Sequence, residues 1–81
     1  MCKFNIEITD TFGGEANYSW VKRFVIDMPS NVSNRALIRK AKNVAQWCIG
    51  AKHRVEDFGD MLAIKPYGVC QVMFITVDYN A

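Results

Sequence analysis

The fold of this chain is decided by residues 33–50, which spell SNRALIRKAKNVAQWCIG. Ser33 is the expected N-cap, because its hydroxyl can accept a hydrogen bond from an unpaired N–H of the first helical turn. Apolar residues then recur at the 3.6-residue spacing of an amphipathic helix; they are Leu37, Ala41, Val44, Ala45 and Cys48. Gly50 is suited to closing the helix in the left-handed conformation. We therefore expect one amphipathic helix over residues 33–49.

Two strands are predicted before the helix. Residues 2–8 alternate apolar and polar side chains, which is the period-2 pattern of a half-buried strand. Residues 10–15 contain two glycines and predict a turn, and residues 17–26 resume as a strand. Lys22 interrupts the apolar stripe of this second strand, which predicts a bulge or a strand end there. The two strands are expected to form a hairpin with a loop of roughly six residues.

Two further strands are predicted after the helix. Residues 61–64 are apolar, residues 65–68 (KPYG) predict a turn, and residues 69–79 form a long strand that is apolar on both parities. That last strand is expected at the centre of the sheet, whereas residues 52–57 are polar and fit either a short edge strand or a loop. The order ββαββ predicts an α+β fold in which one helix covers one face of a mainly antiparallel four-stranded sheet.

Size and cysteine content limit the class of protein. The 81 residues correspond to one domain, residues 1–81. Three widely separated cysteines do not resemble the even, dense set of a disulfide-stapled secreted domain. The first residues already alternate like a strand and lack the pattern of a secretion signal, and no apolar run is long enough to span a membrane. We therefore expect a reduced, cytoplasmic protein that does not enter a membrane.

Charge is distributed unevenly, although the net charge is only +2. From Arg35 to Arg54 there are six basic residues and no acidic one. At 100° per residue, Arg35, Arg39 and Lys42 fall on the helix side opposite the apolar stripe and are expected to face solvent, with Lys40 and Trp47 together on the flank. The candidate partner-binding residues are Arg35, Arg39, Lys40, Lys42, Trp47, Lys52 and Arg54.

Three interpretations of this basic stretch are open. Arginine and tryptophan are typical of the residues that contribute most to protein–protein interfaces, so the stretch can bind an acidic protein surface. Cations beside an indole ring can also contact phosphates and stacked bases, as in a small nucleic-acid-binding module. The third interpretation is a solvated helix surface without a binding role.

Aromatic residues form a second surface candidate. They are Phe12, Tyr18, Trp20, Phe24, Tyr67 and Tyr79. Because one helix cannot cover all of them, some are expected on the uncovered sheet face or at its rim. An uncovered apolar face of this kind usually binds a partner or a second copy of the same chain, so a homodimer is a further expectation.

Signals for catalysis or metal binding are weak. Cys48 and His53 are a conceivable nucleophile pair, but Cys48 falls on the apolar helix face, where cysteine usually acts as a small hydrophobe. The acidic residues Glu56, Asp57 and Asp60 can act as acid and base or bind a cation, although a solvated loop explains them more simply. No closely spaced set of zinc ligands occurs. We expect a protein that is not an enzyme, with no catalytic residues, no metal and no cofactor.

Three segments resemble a group of small uncharacterised proteins encoded by phages and prophages: residues 6–21 (IEITDTFGGEANYSWV), residues 56–60 (EDFGD) and residues 70–76 (CQVMFIT). The resemblance covers most of the chain and carries no functional signature. Many small phage proteins act by binding one host protein, and anti-CRISPR proteins are the best-known class of such host-defence inhibitors. The resemblance therefore implies a host protein or ribonucleoprotein complex as the partner. The function it implies is inhibition of a CRISPR-Cas or other anti-phage defence system.

Overall fold

A computed structural model describes residues 2–13, 15–48 and 52–78. The elements in chain order are β1 (Cys2–Phe12), β2 (Glu15–Met28), α1 (Asn34–Ala45), β3 (His53–Asp57), β4 (Met61–Pro66) and β5 (Gln71–Asp78). The strands form one sheet in the order β2-β1-β5-β4-β3, and every neighbouring pair is antiparallel. The α+β class is confirmed, with one helix among the described residues.

The described residues form five strands, so the predicted four-stranded ββαββ arrangement is wrong in its second half. The additional strand is β3, within the segment that the sequence left open between edge strand and loop, and it pairs with β4. Its polar composition fits an edge position, because an edge strand contacts solvent along one side. β5 lies third of five, which confirms the prediction that the long apolar strand is central.

The first hairpin is longer and its connection shorter than predicted. β1 continues to Phe12 and β2 begins at Glu15, so the connection is two residues long and not roughly six. Gly13 takes a left-handed φ of 63°, a conformation that glycine adopts at little cost. Lys22 pairs regularly with Ile8, so the irregularity predicted at Lys22 is wrong. The real irregularity lies closer to the turn, at residues 17–20.

Helix α1 begins as predicted. The hydroxyl oxygen of Ser33 accepts a hydrogen bond from the N–H of Ala36 at 3.2 Å, which confirms the N-cap. This contact satisfies one of the N–H groups that have no partner within the helix.

The helix ends earlier than predicted, at Ala45. Gln46 adopts the left-handed conformation with φ 50°, and its N–H bonds to the carbonyl of Asn43 at 3.2 Å. The N–H of Trp47 bonds to the carbonyl of Lys42 at 3.0 Å, which completes a Schellman motif. The expected helix over residues 33–49 is therefore too long. Residue 50, the glycine predicted to close it, lies outside the described residues.

The core lies between α1 and one face of the sheet. Its buried members are Phe4, Ile6, Ile8, Ile26, Leu37, Ile38, Ala41, Trp47, Leu62, Ile64, Met73 and Ile75. The buried side of the helix is centred on Leu37, Ile38 and Ala41, so Val44, expected in the apolar stripe, is exposed. We call the opposite side of the sheet the open face.

Candidate interaction surface

The basic residues predicted to bind a partner do not form one surface. Arg35, Arg39 and Lys40 are exposed on α1, as expected. Lys52 is exposed beside the β4–β5 turn, where its carbonyl accepts a 3.0 Å hydrogen bond from the N–H of Tyr67. Only the three helical cations therefore share one exposed element.

Arg54 lies on the open face, away from the helix. It pairs with Lys65 of β4, and directly paired residues share a face of the sheet. Because β4 buries Leu62 and Ile64 on the helix side, Lys65 and its partner point to the open face. There Glu56 forms ion pairs with Arg54 at 3.0 Å and with Lys65 at 3.3 Å. The predicted grouping of Arg54 with the helix cations is wrong.

Lys42 and Trp47 are both buried, with exposures of 7% and 8%. The Nζ atom of Lys42 lies 2.9 Å from Nδ1 of His53, which links α1 to β3. The indole Nε1 of Trp47 donates a 2.6 Å hydrogen bond to Oε1 of Gln71, and its ring belongs to the core. The expectation that Lys42 faces solvent is wrong, because the buried side of the helix is rotated toward Ile38. Trp47, expected on the flank of the helix, is buried instead, because the helix ends before it.

The open face carries a groove of about 560 Å³. Side chains from four strands line it, including Glu7, Tyr18, Arg23, Val25, Met61 and Phe74. Val25, Met61 and Phe74 contribute apolar surface. Glu7 and Arg23 lie opposite each other on β1 and β2 and form an ion pair with 3.3 Å between Oε2 and Nε. The groove thus combines aromatic, apolar and charged groups on the face that α1 leaves uncovered.

A bulge in β2, residues 17–20, positions Tyr18 over this groove. Four residues of β2 stand opposite the single residue Asp10 of β1. The Asp10 carboxylate accepts hydrogen bonds from Ser19 Oγ at 2.6 Å, Asn17 Nδ2 at 2.9 Å and the Ser19 N–H at 3.0 Å. Because these bonds stabilise the charged form, led by that of the Ser19 hydroxyl, they lower the pKa of Asp10 from 3.8 to about 2.

Thr9 of β1, whose side chain is on the open-face side of the sheet, also stabilises the bulge. Its hydroxyl oxygen accepts the N–H of Tyr18 at 3.0 Å and donates to the carbonyl of Trp20 at 2.9 Å. The side chain is fully buried, so both contacts satisfy polar groups that would otherwise lack a partner. Thr9 and Asp10 together determine the path of the bulge.

Tyr18 adopts a left-handed φ of 57° and remains 52% exposed. This conformation costs an L-residue about 1–2 kcal/mol, and it persists only where the surrounding structure imposes it. The sequence pattern placed Tyr18 on the same stripe as Ile26. Because the bulge adds residues to β2, the alternation is broken, and Tyr18 lines the groove whereas Ile26 lies in the core.

The acidic cluster predicted around residue 57 separates onto two sides of the sheet. Glu56 belongs to the ion pairs of the open face. Asp57 accepts the N–H of Gly59 at 2.8 Å and the side-chain amide of Asn34 at 3.2 Å, which ties the end of β3 to the start of α1. Within residues 2–13, 15–48 and 52–78, no three His, Cys, Asp or Glu side chains are grouped so that they could hold a metal ion.

In the part of the chain that the structure describes, fold and surface define an α+β protein with a five-stranded antiparallel sheet, one covering helix and a grooved open face. Comparison of the chain with protein-family models, curated proteins and solved structures found no match. Among the described helical residues, no segment has both the length and the apolar character needed to cross a membrane.

Proposed function

We propose that this chain is a non-enzymatic protein that binds a partner protein through the groove on its open face. The observation that supports the proposal is the grouping of Tyr18, Arg23 and Phe74 on the sheet face opposite α1. Tyrosine and arginine are enriched among the residues that contribute most to binding at protein interfaces. Met61 adds an apolar side chain whose flexibility suits the irregular surface of a partner.

The fixed conformation of Tyr18 is the second feature that supports a binding role. Tyr18 stays in an unfavourable backbone conformation, and Asp10 and Thr9 hold it there through five hydrogen bonds to residues 17–20. A side chain positioned before binding loses less conformational freedom when the complex forms. Strained residues of this kind cluster at functional sites.

We propose a host anti-phage defence complex as the partner, with a CRISPR-Cas complex as the first to test. This part of the proposal rests on the resemblance of residues 6–21, 56–60 and 70–76 to phage-encoded proteins. The first of these segments contains Asp10, the bulge and Tyr18. One of the segments that carry the resemblance therefore contributes Tyr18 to the groove.

The alternative, a nucleic-acid-binding module, has less support. It required Trp47 as a stacking surface beside the cations, and Trp47 lies in the core. It also required Arg54, which lies on the opposite side of the sheet and pairs with Glu56. The exposed cations that remain are Arg35, Arg39 and Lys40 on α1 and Lys52 beside the β4–β5 turn.

A pull-down from a bacterial lysate with an active CRISPR-Cas system tests the binding surface. The groove variant is Tyr18→Gly, because glycine accepts the positive φ and removes the ring. The matched helix variant combines Arg35→Ala, Arg39→Ala and Lys40→Ala. We expect the groove variant to lose the partner and the helix variant to retain it. The opposite result would assign binding to α1 and contradict the proposal.

Two further measurements separate the candidate functions. Phage plating on the same host tests defence inhibition: the wild type is expected to raise plating efficiency, and Tyr18→Gly is not. Fluorescence anisotropy with labelled DNA and RNA at low salt tests the alternative. A nucleic-acid binder must lose affinity steeply as salt rises. Salt-sensitive binding that the helix variant abolishes would favour the nucleic-acid-binding module.

A further inference from the structure

Among the described strands, β2 is at one edge of the sheet, and it contains a long regular segment. It is the terminal strand in the order β2-β1-β5-β4-β3, and residues 21–28 pair one for one with residues 9–2 of β1. Backbone N–H and C=O groups along the outer side of an edge strand can pair with another strand. The bulge limits this segment at one end and Pro29 follows it at the other.

The side chains of Arg23, Val25 and Asp27 in this segment are exposed. Val25 is 58% exposed near the middle of the segment, although valine is an apolar residue suited to strand pairing. Arg23 and Asp27 flank it at equal distances along the strand and carry opposite charges. All three point to the open face, because they pair with Asn5, Glu7 and Lys3, which alternate with the buried residues of β1.

A second copy of β2 matches this segment in a specific register. Antiparallel pairing about a two-fold axis perpendicular to the sheet places open-face residues opposite open-face residues. With Val25 on the axis, Arg23 of one copy lies opposite Asp27 of the other, and the same pair repeats by symmetry. A shift of two residues in either direction places each of these charges opposite a valine or outside the segment. Charge complementarity therefore selects the register centred on Val25.

We propose that the chain forms a homodimer by antiparallel pairing of residues 21–28 about Val25. The two sheets then form one continuous ten-stranded sheet, with both helices on one side and both grooves on the other. On the helix side, Phe24 of one copy lies opposite Ile26 of its partner, which adds apolar cross-strand contacts. The dimer interface shares Arg23 and Val25 with the lining of the groove, and the dimer places two grooves side by side.

Pairing of one strand buries less surface than a standard interface of about 1,600 Å². We therefore expect a weak dimer that dissociates into monomers at low protein concentration. Sedimentation velocity over a range of protein concentrations is expected to show a shift from the 9.2 kDa chain toward twice that mass. Val25→Lys places two ammonium groups on the axis, and it is expected to abolish the shift while the exposed position leaves the fold intact, as checked by circular dichroism. A wild type that stays monomeric throughout overturns the proposal.

Disulfide trapping tests the register. Residues opposite each other in antiparallel strands have Cα atoms about 4.5–5.5 Å apart, within the range of a disulfide. In a Cys70→Ser background, which removes the exposed thiol, Val25→Cys is expected to cross-link to a covalent dimer on mild oxidation. Asp27→Cys is the matched control. In the proposed register, residue 27 of each copy lies opposite Arg23 of the other copy, so the two introduced cysteines are too far apart to form a disulfide. Cross-linking of both variants, or of neither, overturns the register.

Discussion

The hydroxyl of Ser19 donates a 2.6 Å hydrogen bond to the carboxylate of Asp10 across the first hairpin. A hydrogen bond to a charged acceptor at this distance belongs to the stronger class of protein hydrogen bonds. It closes residues 17–20 over a single residue of β1 and so directs Tyr18 toward the groove. Together with the contacts of Thr9, this hydrogen-bonded carboxylate therefore sets the position of the aromatic ring on the open face.

Asp10→Asn is expected to remove a pH-dependent part of the stability. The pKa of Asp10 is lowered from 3.8 to about 2 in the folded chain, so the charged carboxylate favours folding. This contribution is fully present above the unfolded-state value and is lost as pH falls from about 4 to about 2. The difference in the free energy of unfolding between wild type and variant, measured by urea denaturation, should shrink over that interval. A difference that stays constant with pH would contradict it.

Ser19→Ala tests the cause of the lowered pKa. Removing the hydroxyl removes the largest stabilising contact of the Asp10 carboxylate, so the pKa of Asp10 should rise toward its ordinary value of 3.8. Carboxyl chemical shifts followed by NMR as a function of pH report this directly. Ser30→Ala, at an exposed position outside the strands, is the control and should leave the titration of Asp10 unchanged.

At position 18, glycine is expected to be more stable than alanine. Both substitutions remove the ring, so its packing cancels in the comparison, and alanine retains the strain of the φ of 57°. The free energy of unfolding of Tyr18→Gly should exceed that of Tyr18→Ala by about 1 kcal/mol. Val25 on the same strand provides the control, since there alanine should be the more stable of the two residues. If the alanine variant is the more stable of the two at position 18 as well as at position 25, position 18 carries no such strain.

Gln46→Gly is expected to stabilise the chain. Gln46 adopts the left-handed conformation at the end of α1, where glycine avoids the steric cost of a side chain. A gain of about 1 kcal/mol corresponds to a rise in Tm of about 4–8 °C for a chain of this size. Thermal unfolding followed by circular dichroism measures the rise. Gln46→Ala keeps the strain and should show no gain, and equal effects of the two substitutions would contradict the explanation.

Trp47→Phe is expected to destabilise the chain by about 1–2 kcal/mol, because Oε1 of Gln71 loses its 2.6 Å donor. A double-mutant cycle with Gln71→Ala isolates the contact from the change in ring size. The coupling energy from urea denaturation should be about 1 kcal/mol. A coupling energy near zero would mean that the indole contributes to stability by packing alone.

Local patterns in the sequence predicted much of the fold. Period-2 alternation identified the first strand, and Ser33 marked the helix start, because both depend on residues close together in the chain. The short polar strand β3 lacked such a pattern, since an edge position demands little apolar surface. The early helix end was also hidden, because glutamine is an unusual residue in the left-handed conformation.

Much less of the candidate surface could be predicted from the sequence. Some of the aromatic residues were expected on the uncovered sheet face or at its rim, and Tyr18 does lie on that face. The bulge that places it there depends on side-chain hydrogen bonds from Asp10 and Thr9, which no periodic pattern reveals. The sequence offered only the polar run around Asn17 and Ser19 as a sign that the strand departs from regular pairing.

The sequence by itself determined the α+β class, the start of the helix and the central position of the last strand, because apolar periodicity and capping are local properties. Only the tertiary structure decided which basic and aromatic residues stay at the surface. Lys42 is buried against His53 of β3, and Trp47 bonds to Gln71 of β5. Burial of a polar group requires a hydrogen-bond partner, and these partners come from strands distant in the chain.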